Sequence, residues 1–475
     1  MGKLTSNYIF ILLYQVILVL TPIFTTPYIS RVLGPENIGI DAYVFSIVQI
    51  FQVLLMLGIG AHGKKQMASA VGEKAIQTEF SNIYSVQLST TVLILIFYAF
   101  YVLQVPNYSE IFWGYTIILI ATGLDVSWYF IGLEKMKQIM VRNIFVRLVS
   151  IVLIVLFVKS QTDLWKFVLI NSLSLFFGQI INWFILIKEV KKFSFSFTGM
   201  KLHLKPILIL AIIPCISIFY MSINKIVLGY VVGETEVGFY NQAYKLIVIC
   251  MGFLSALSTV MMPRMVHYHA KGEEKKFKET VEFSLNYMIL TTLPLLAIIV
   301  VMSDYLVPLF LGDGFSSVIY LLIILAPALL FKGLSDIFGF QILIAIGDNN
   351  SYAASVGVGA IFSLATNFLL VKNLDGIGTA IAYDVAIFVA LLIQIYFSKA
   401  FISLKRIFLS FLKYGLYTSF MISILIYIKN YLNPKDNIIF LFIEISIAII
   451  TYISLLLISK DPFLFTFMKR NISKK

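Results

Sequence analysis

Charge is scarce in this chain. Of its 475 residues only 13% are Asp, Glu, Lys or Arg, and it has two cysteines, four histidines and four tryptophans. Cys215 and Cys250 both lie inside apolar runs, so neither a disulfide framework nor a paired-cysteine metal site is available. His62, His203, His267 and His269 all fall at the edges of apolar stretches, and His267 and His269, two apart, point to different faces of a helix. No metal and no cofactor is therefore expected. A cleaved signal peptide is not expected either: the first apolar stretch, about residues 8–30, is too long for a signal core, lacks a clear small-residue cleavage site and should stay as the first span. The opening MGKLTS fits the loose N-myristoylation pattern, but a chain with many spans gains nothing from one weak acyl anchor.

What the chain has instead is hydrocarbon. It is 60% hydrophobic, with a mean hydropathy of +0.94, and apolar runs long enough to cross a bilayer recur from end to end. We expect an all-α membrane protein with about fourteen transmembrane helices. They fall near 8–30, 38–60, 81–104, 111–133, 144–160, 165–187, 204–230, 237–263, 284–303, 316–346, 352–371, 376–397, 410–428 and 438–458. Turns are punctuated by Gly34-Pro35, Gly312-Asp313-Gly314 and Gly347-Asp348.

Basic residues orient the chain. With both termini in the cytoplasm, the inner segments hold 26 of the 36 lysines and arginines, and the outer loops hold 6. The outer six are Arg31, Lys159, Lys166, Lys372, Lys429 and Lys435; four more, Arg147, Lys225, Lys245 and Lys332, lie within spans. This asymmetry obeys the positive-inside rule and predicts a multi-pass cell-membrane protein with cytoplasmic termini. It accounts for most of the net charge of +12, so no nucleic-acid partner is implied. The run KGEEKKFKE at 271–279 reads as a solvated segment beside membrane lipids.

The chain also repeats itself. GPENIGIDAY at 34–43 is echoed by GETEVGFYNQ at 233–242, with Gly34 and Gly39 recurring as Gly233 and Gly238 and Ile38 as Val237. The following helices keep their apolar positions, as in Ile47 against Leu246 and Ile50 against Ile249. Duplicated halves with a site between them are a common plan for secondary transporters. GIGAHGKK at 58–65 matches GxGxxG and nearly matches a phosphate loop, but Lys65 stands where a hydroxyl would hold magnesium and no strand precedes it. Its lysines instead complement a helix end and an anionic leaflet.

Charge inside the bilayer needs a partner or a task, because each such residue costs about 2.5–3.5 kcal/mol at the centre. Lys332 lies about 22 Å along a helix from Ser317, and Asp336 is one turn further on the same face. They can neutralise each other as an i,i+4 pair or face a wet cavity. Asp125 is about 20 Å from Phe112, with no basic neighbour along its helix. It either couples transport to an ion gradient or pairs with a cation on another helix, and Asp336 or Asp384 would be its counterpart in the second half. Arg31 and Asp41 are placed to pair at the outer rim. Asn241 and Lys245 share a face beside Tyr240 and Tyr244, and Arg147, one turn inside its helix, can snorkel to headgroups or join the cavity. Gln49, Gln52, Gln179 and Asn182 read as interhelical hydrogen-bond glue. Taken together, Lys225, Lys245, Lys332 and Arg147 would favour an anionic substrate.

Five segments carry a resemblance: TTPYISRVLGPENIGIDAYVFSIVQIF (25–51), NKIVLGYVVGETEVGFYNQAYKLI (224–247), VMMPRMVHYHAKGEEKKFKE (260–279), LFLGDGF (309–315) and GFQILIAIGDNNSY (339–352). In this order they resemble the polysaccharide repeat-unit flippases of O-antigen and capsule synthesis. That family belongs to the multidrug/oligosaccharidyl-lipid/polysaccharide exporter (MOP) superfamily. The resemblance implies two six-helix lobes, 1–195 and 196–400, around a central cavity, followed by two additional helices and a tail over 401–475. It further implies transport of undecaprenyl-pyrophosphate-linked oligosaccharide to the outer leaflet, next to a polymerase and glycosyltransferases of the same pathway. Lys225, Lys245, Lys332, Arg147 and Asn241 would then meet the pyrophosphate and sugar. The alternative on the same fold is a multidrug or small-cation exporter, for which acidic and aromatic lining would be expected. An enzyme is not expected, since every outer loop is too short to form a catalytic platform.

Overall fold

The computed structural model describes residues 3–190, 192–432, 438–461, 463 and 465. No strand occurs among them. The helices are α1 (Lys3–Met56), α2 (Ile59–Ser69), α3 (Glu73–Gln104), α4 (Ser109–Gly123), α5 (Ser127–Gly132), α6 (Met136–Phe157), α7 (Leu164–Glu189) and α8 (Phe197–Val231). Then come α9 (Glu234–Ala270), α10 (Glu274–Leu311), α11 (Ser317–Leu325), α12 (Pro327–Ser335), a π-helical segment (Asp336–Leu343), α13 (Asn349–Ser398), α14 (Leu404–Leu432) and α15 (Ile438–Ile458).

Twelve helical runs among the described residues are long and apolar enough to cross a membrane. The sequence predicts about fourteen spans, and the difference lies in two long helices that each hold two of them. α1 folds at Gly34 (φ 75°, ψ 172°), a left-handed conformation natural to glycine, and Pro35 restarts the helix at a position where its missing N–H costs nothing. α13 folds at Asp375 (φ 49°, ψ −132°).

Two expected spans are not continuous helices. The run 111–133 is broken between α4 and α5 at Leu124–Val126. The run 316–346 steps from α11 through Pro327 into α12, and then into the π-helical segment. Backbone freed in this way inside a bilayer must find partners in the protein. At the first break it does: Gln87 Nε2 donates to the carbonyls of Gly123 (3.0 Å) and Asp125 (2.9 Å), and Trp183 Nε1 donates to that of Leu124 (2.9 Å).

By packing, the chain forms two compact units, 1–238 and 239–475. In the first, α8 lies against α1, α2 and α3, and α4 against α7. Its core is aromatic, with Phe80 stacked on Trp128 and Tyr84 (ring centroids 5.5 and 5.6 Å) over Ile59, Met67, Leu186 and Ile207. Gly63 lets α2 close onto the Trp128 indole, where a Cβ would collide with the ring. Gly58 of the same GIGAHGKK motif is likewise pressed against the Ile207 carbonyl, while Gly60 meets only an ordinary contact.

The two copies of the repeated motif also meet within the first unit. A Cβ on Gly39 would overlap the Glu234 carbonyl, and one on Gly238 would overlap the Pro35 carbonyl. Tyr108, in the turn before α4, bonds to Glu234; burial and that carboxylate push its pKa up to about 12. In the second unit α10 packs on α14, α11 and α12, α12 on α13, and α14 on α15.

Candidate functional site

The strongest constellation of the second unit grows from the irregular stretch 327–343. Pro327 starts α12, and the π-helical segment begins at Asp336, one turn beyond Lys332. The i,i+4 spacing puts the Lys332 ammonium 2.6 Å from Asp336 Oδ1. Ser255 of α9 donates to the other carboxylate oxygen at 3.1 Å. Tyr244 of α9 and Tyr352 of α13 are close enough to interact electrostatically with Lys332. Tyr244 is held in turn by Tyr240, stacked at 6.2 Å, and by Tyr383, edge-on at 5.2 Å. The result is a cation beside its counter-ion, surrounded by phenols.

The lysine side chain is 39% accessible against 14% for the aspartate. The Lys332 side chain, placed by sequence near mid-membrane, is thus only partly covered by protein. It can take a second anionic partner while Asp336 stays bound to Ser255. π-Helical segments are frequent at functional sites, and this one begins at Asp336. Behind the pair, Gln341 donates to Ser258 (2.9 Å) and Gln394 to Ser355 (3.0 Å), tying the segment to α9 and α13 to itself.

The remaining predicted residues of this unit are separate from the pair in kind. Asn241 is buried on α9, with Lys245 one turn further and half-buried. Asp384, on α13, borders a cavity of about 200 Å³ with Phe331, Ile381, Val385 and Phe388. Its Oδ1 is buried with no hydrogen-bond partner among the described residues. Glu444 on α15, which sequence reasoning passed over, is fully buried, and both its oxygens lack such a partner. Beside it Lys429 pairs with Asp304 at 2.8 Å.

In the first unit the counterpart irregularity is the α4–α5 break, which contains Asp125. Its Oδ1 accepts the Ser127 backbone N–H at 2.8 Å, a two-residue turn that leads into α5. Gln87, fully buried, accepts from the Trp128 indole (2.9 Å) while donating to two carbonyls of the break. Asp41 accepts from Tyr115 at 2.5 Å, and Arg31 lies on the same long helix α1, before the Gly34 fold. Lys225 follows buried Asn224 on α8, and Arg147 is half-buried on α6. Arg142, one turn earlier, is buried beside Asn182, whose carbonyl, turned toward it, accepts from both terminal guanidinium nitrogens at 3.3 Å.

One cluster could not have been read from the sequence. His62 Nε2 and His203 Nδ1 lie 2.8 Å apart although 141 residues separate them, and His203 Nε2 is 3.5 Å from Glu79. No group of metal-ligating residues of suitable geometry occurs among the described residues.

In each half, then, the helix expected to be the fourth is interrupted, and an aspartate lies at the interruption. Discontinuous helices at matching places of two repeats are a mark of transporter binding sites. Comparison with known proteins gives the family and the fold. Residues 4–269 match the family described as "Polysaccharide biosynthesis protein". A curated relative, "Putative O-antigen transporter" of Escherichia coli (strain K12), is 26% identical over 387 residues, covering 80% of this chain and 92% of the relative. Among solved structures, "Lipid II flippase MurJ, inward closed conformation" superposes with a TM-score of 0.71 at 17% identity, covering 98% of this chain and all of that one. An inward-facing multidrug resistance MATE family transporter of the MOP superfamily gives 0.61 at 15%, covering 82% and 95%. At these identities the two structures establish a shared transporter fold.

Proposed function

The chain belongs to the polysaccharide biosynthesis protein family, and from that membership we propose that it is a flippase for lipid-linked oligosaccharides. The cargo is an undecaprenyl-pyrophosphate-linked repeat unit, carried from the inner to the outer leaflet of the cell membrane by alternating access of two duplicated lobes. Both termini are assigned to the cytoplasm, which the 26-to-6 distribution of basic residues supports. The work is transport, and covalent chemistry is left to the polymerase and glycosyltransferases of the pathway.

The observation that carries this reading is Lys332, its ammonium 2.6 Å from Asp336 and its side chain 39% accessible, in an interrupted membrane helix. A pyrophosphate can join Asp336 on it, and the lysine keeps a counter-charge when the cargo has left. Lys225, Lys245, Arg147 and Asn241 are assigned the remaining anionic and sugar contacts, and Arg31 and Asp41 the outer rim. The lipid tail stays in the bilayer while the headgroup crosses a polar path, which removes the cost of burying sugar hydroxyls in hydrocarbon. Ion coupling is assigned to Asp384 and to exchange at Asp336; Asp125 is the third candidate, with a structural task of its own at Ser127.

The second reading, a multidrug or small-cation exporter, draws on the likeness to the multidrug transporter fold and on the phenols around Lys332. Lys332 in the candidate site, with Lys225 and Lys245 assigned to the same path, opposes it, since cationic cargo would be repelled. Deletion in the native host separates the two. The flippase reading expects lipid-linked repeat units to accumulate on the inner leaflet and surface polymer to disappear, with no change in drug resistance. Normal surface polymer in a host without a second flippase would refute it.

A further inference from the structure

At one end of the second unit the chain turns from α9 into α10 through Gly272 and from α13 into α14 through residues 399–403. Between the first turns of α10 and α14 lies a cavity of about 300 Å³ walled by Lys278, Glu282, Asn286, Ser403, Arg406 and Ser410. A second cavity, about 420 Å³, shares Glu282, Asn286 and Ser410 with it and runs on to Lys413, Tyr414 and Asp461. The two form one groove. Its walls are fixed by polar bonds: Arg406 Nη1 to Glu282 (2.6 Å), Ser410 to Asn286 (2.6 Å), and Lys413 to Asp461. Its floor is apolar, with Leu285, Ile289 and Ile407.

We infer that this groove binds the phosphodiester headgroup of an anionic membrane glycerophospholipid, a lipid distinct from the transported cargo. Three features point to that class. First, Arg406 uses one guanidinium nitrogen on Glu282 and remains 68% exposed, so several of its five donors are left for another acceptor. Lys278 lines the same cavity, is 49% exposed, and has only a long contact with Glu274 at 3.9 Å. Two cations with spare donors beside hydroxyl and amide groups suit a phosphodiester and a glycerol.

Second, the wider cavity carries an apolar strip in its own wall: Leu409 of α14, 53% exposed, with Phe283 of α10 and Phe463, whose rings lie 5.1 Å apart. Acyl chains can run along this strip while the phosphate stays in the groove; a soluble anion would gain nothing from it. Third, the groove lies at helix ends where the charged run 271–279 meets apolar membrane helix, which is the headgroup level. On the orientation proposed above, that level belongs to the inner leaflet. A bound lipid there bridges α10 and α14 and so ties the C-terminal helix pair to its unit.

The test uses the purified full-length chain in neutral detergent, without cargo, so its outcome does not depend on the flippase reading. Phosphatidylglycerol, phosphatidylcholine or inorganic phosphate is added, and bound lipid is counted by native mass spectrometry alongside thermal unfolding. Phosphatidylglycerol should be retained and should raise the melting temperature; phosphatidylcholine and inorganic phosphate should do neither. Lys278→Gln with Arg406→Gln should cut retention at least five-fold, and Ser403→Leu, which fills the cavity at unchanged charge, should do the same. Lys405→Gln, beside the groove but outside its walls, should retain lipid normally. Equal retention by the wall variants and the native chain would overturn the assignment. So would equal retention of phosphatidylcholine, or inorganic phosphate matching the phosphatidylglycerol shift.

Discussion

Gly39 and Gly238 occupy the same place in two copies of one motif, and each is pressed against the backbone of the other copy: Gly39 on Glu234, Gly238 on Pro35. Neither has space for a methyl group, because the obstructing atoms are main-chain carbonyls that cannot swing aside. Gly39→Ala and Gly238→Ala are each predicted to cost about 1–3 kcal/mol, the range for overpacking, visible as a lower unfolding temperature in detergent. Gly415→Ala is the control: nothing lies within 4 Å of its added carbon, and alanine favours the helix by up to about 1 kcal/mol.

Gln87 holds the α4–α5 break together through three hydrogen bonds. Leucine has a similar volume but would leave two carbonyls and the Trp128 indole without it. Each buried group left unpaired costs about 1–3 kcal/mol. Gln87→Leu should therefore unfold at clearly lower temperature than the native chain, and Trp183→Phe, which frees only the Leu124 carbonyl, should lose less. Equal stability of native chain and Gln87→Leu would mean that the break finds other partners.

Lys332 and Asp336 can be separated into structural and transport roles by charge arithmetic. Removing one partner strands the other; for a sealed pair that costs about 3–5 kcal/mol, and the 39% accessibility of Lys332 lowers the figure. Lys332→Met and Asp336→Leu singly should reduce expression and melting temperature, while the double variant should regain both. Transport should stay lost in the double variant, because the cation that receives pyrophosphate is gone. A double variant that transports normally would leave the pair a purely structural role.

Asp125 and Asp384 make opposite predictions. Asparagine keeps an acceptor for the Ser127 N–H, so Asp125→Asn should preserve folding and transport, whereas Asp125→Ala should cost about 0.5–1.5 kcal/mol as a lost hydrogen bond. Asp384 has a buried oxygen with no such duty. Asp384→Asn should fold normally and transport with no dependence on a proton or sodium gradient. Unaltered gradient dependence in Asp384→Asn, with its loss in Asp125→Asn, would move the coupling role to the first unit.

The spans were legible because a bilayer demands long apolar runs whatever else the chain does, and the Gly34 fold because a Gly-Pro pair is local. Lys332 and Asp336 were legible for the same reason, four residues apart on one helix. The break at Leu124–Val126 was not: no proline or glycine lies within it, and its carbonyls are satisfied by Gln87 and Trp183, 36 and 59 residues away from their partners. Tyr352, Tyr383 and Ser255 around the ion pair, and the His62–His203 contact, depend likewise on packing between distant segments. Glu444 is different. A lone acid in the apolar run 438–458, it is marked by the cost of charge in lipid alone.

The central claim is movement of a pyrophosphate-linked saccharide lipid between leaflets. The direct measurement places the purified chain in vesicles whose lipid-linked oligosaccharide is labelled in one leaflet, then follows the label's accessibility to an impermeant glycosidase added outside. The account predicts a protein-dependent rise of the accessible fraction that the folded Lys332→Met/Asp336→Leu variant does not support. The same vesicles should show no transport of a cationic dye. An accessible fraction equal to that of protein-free vesicles, or dye transport in its place, would contradict it.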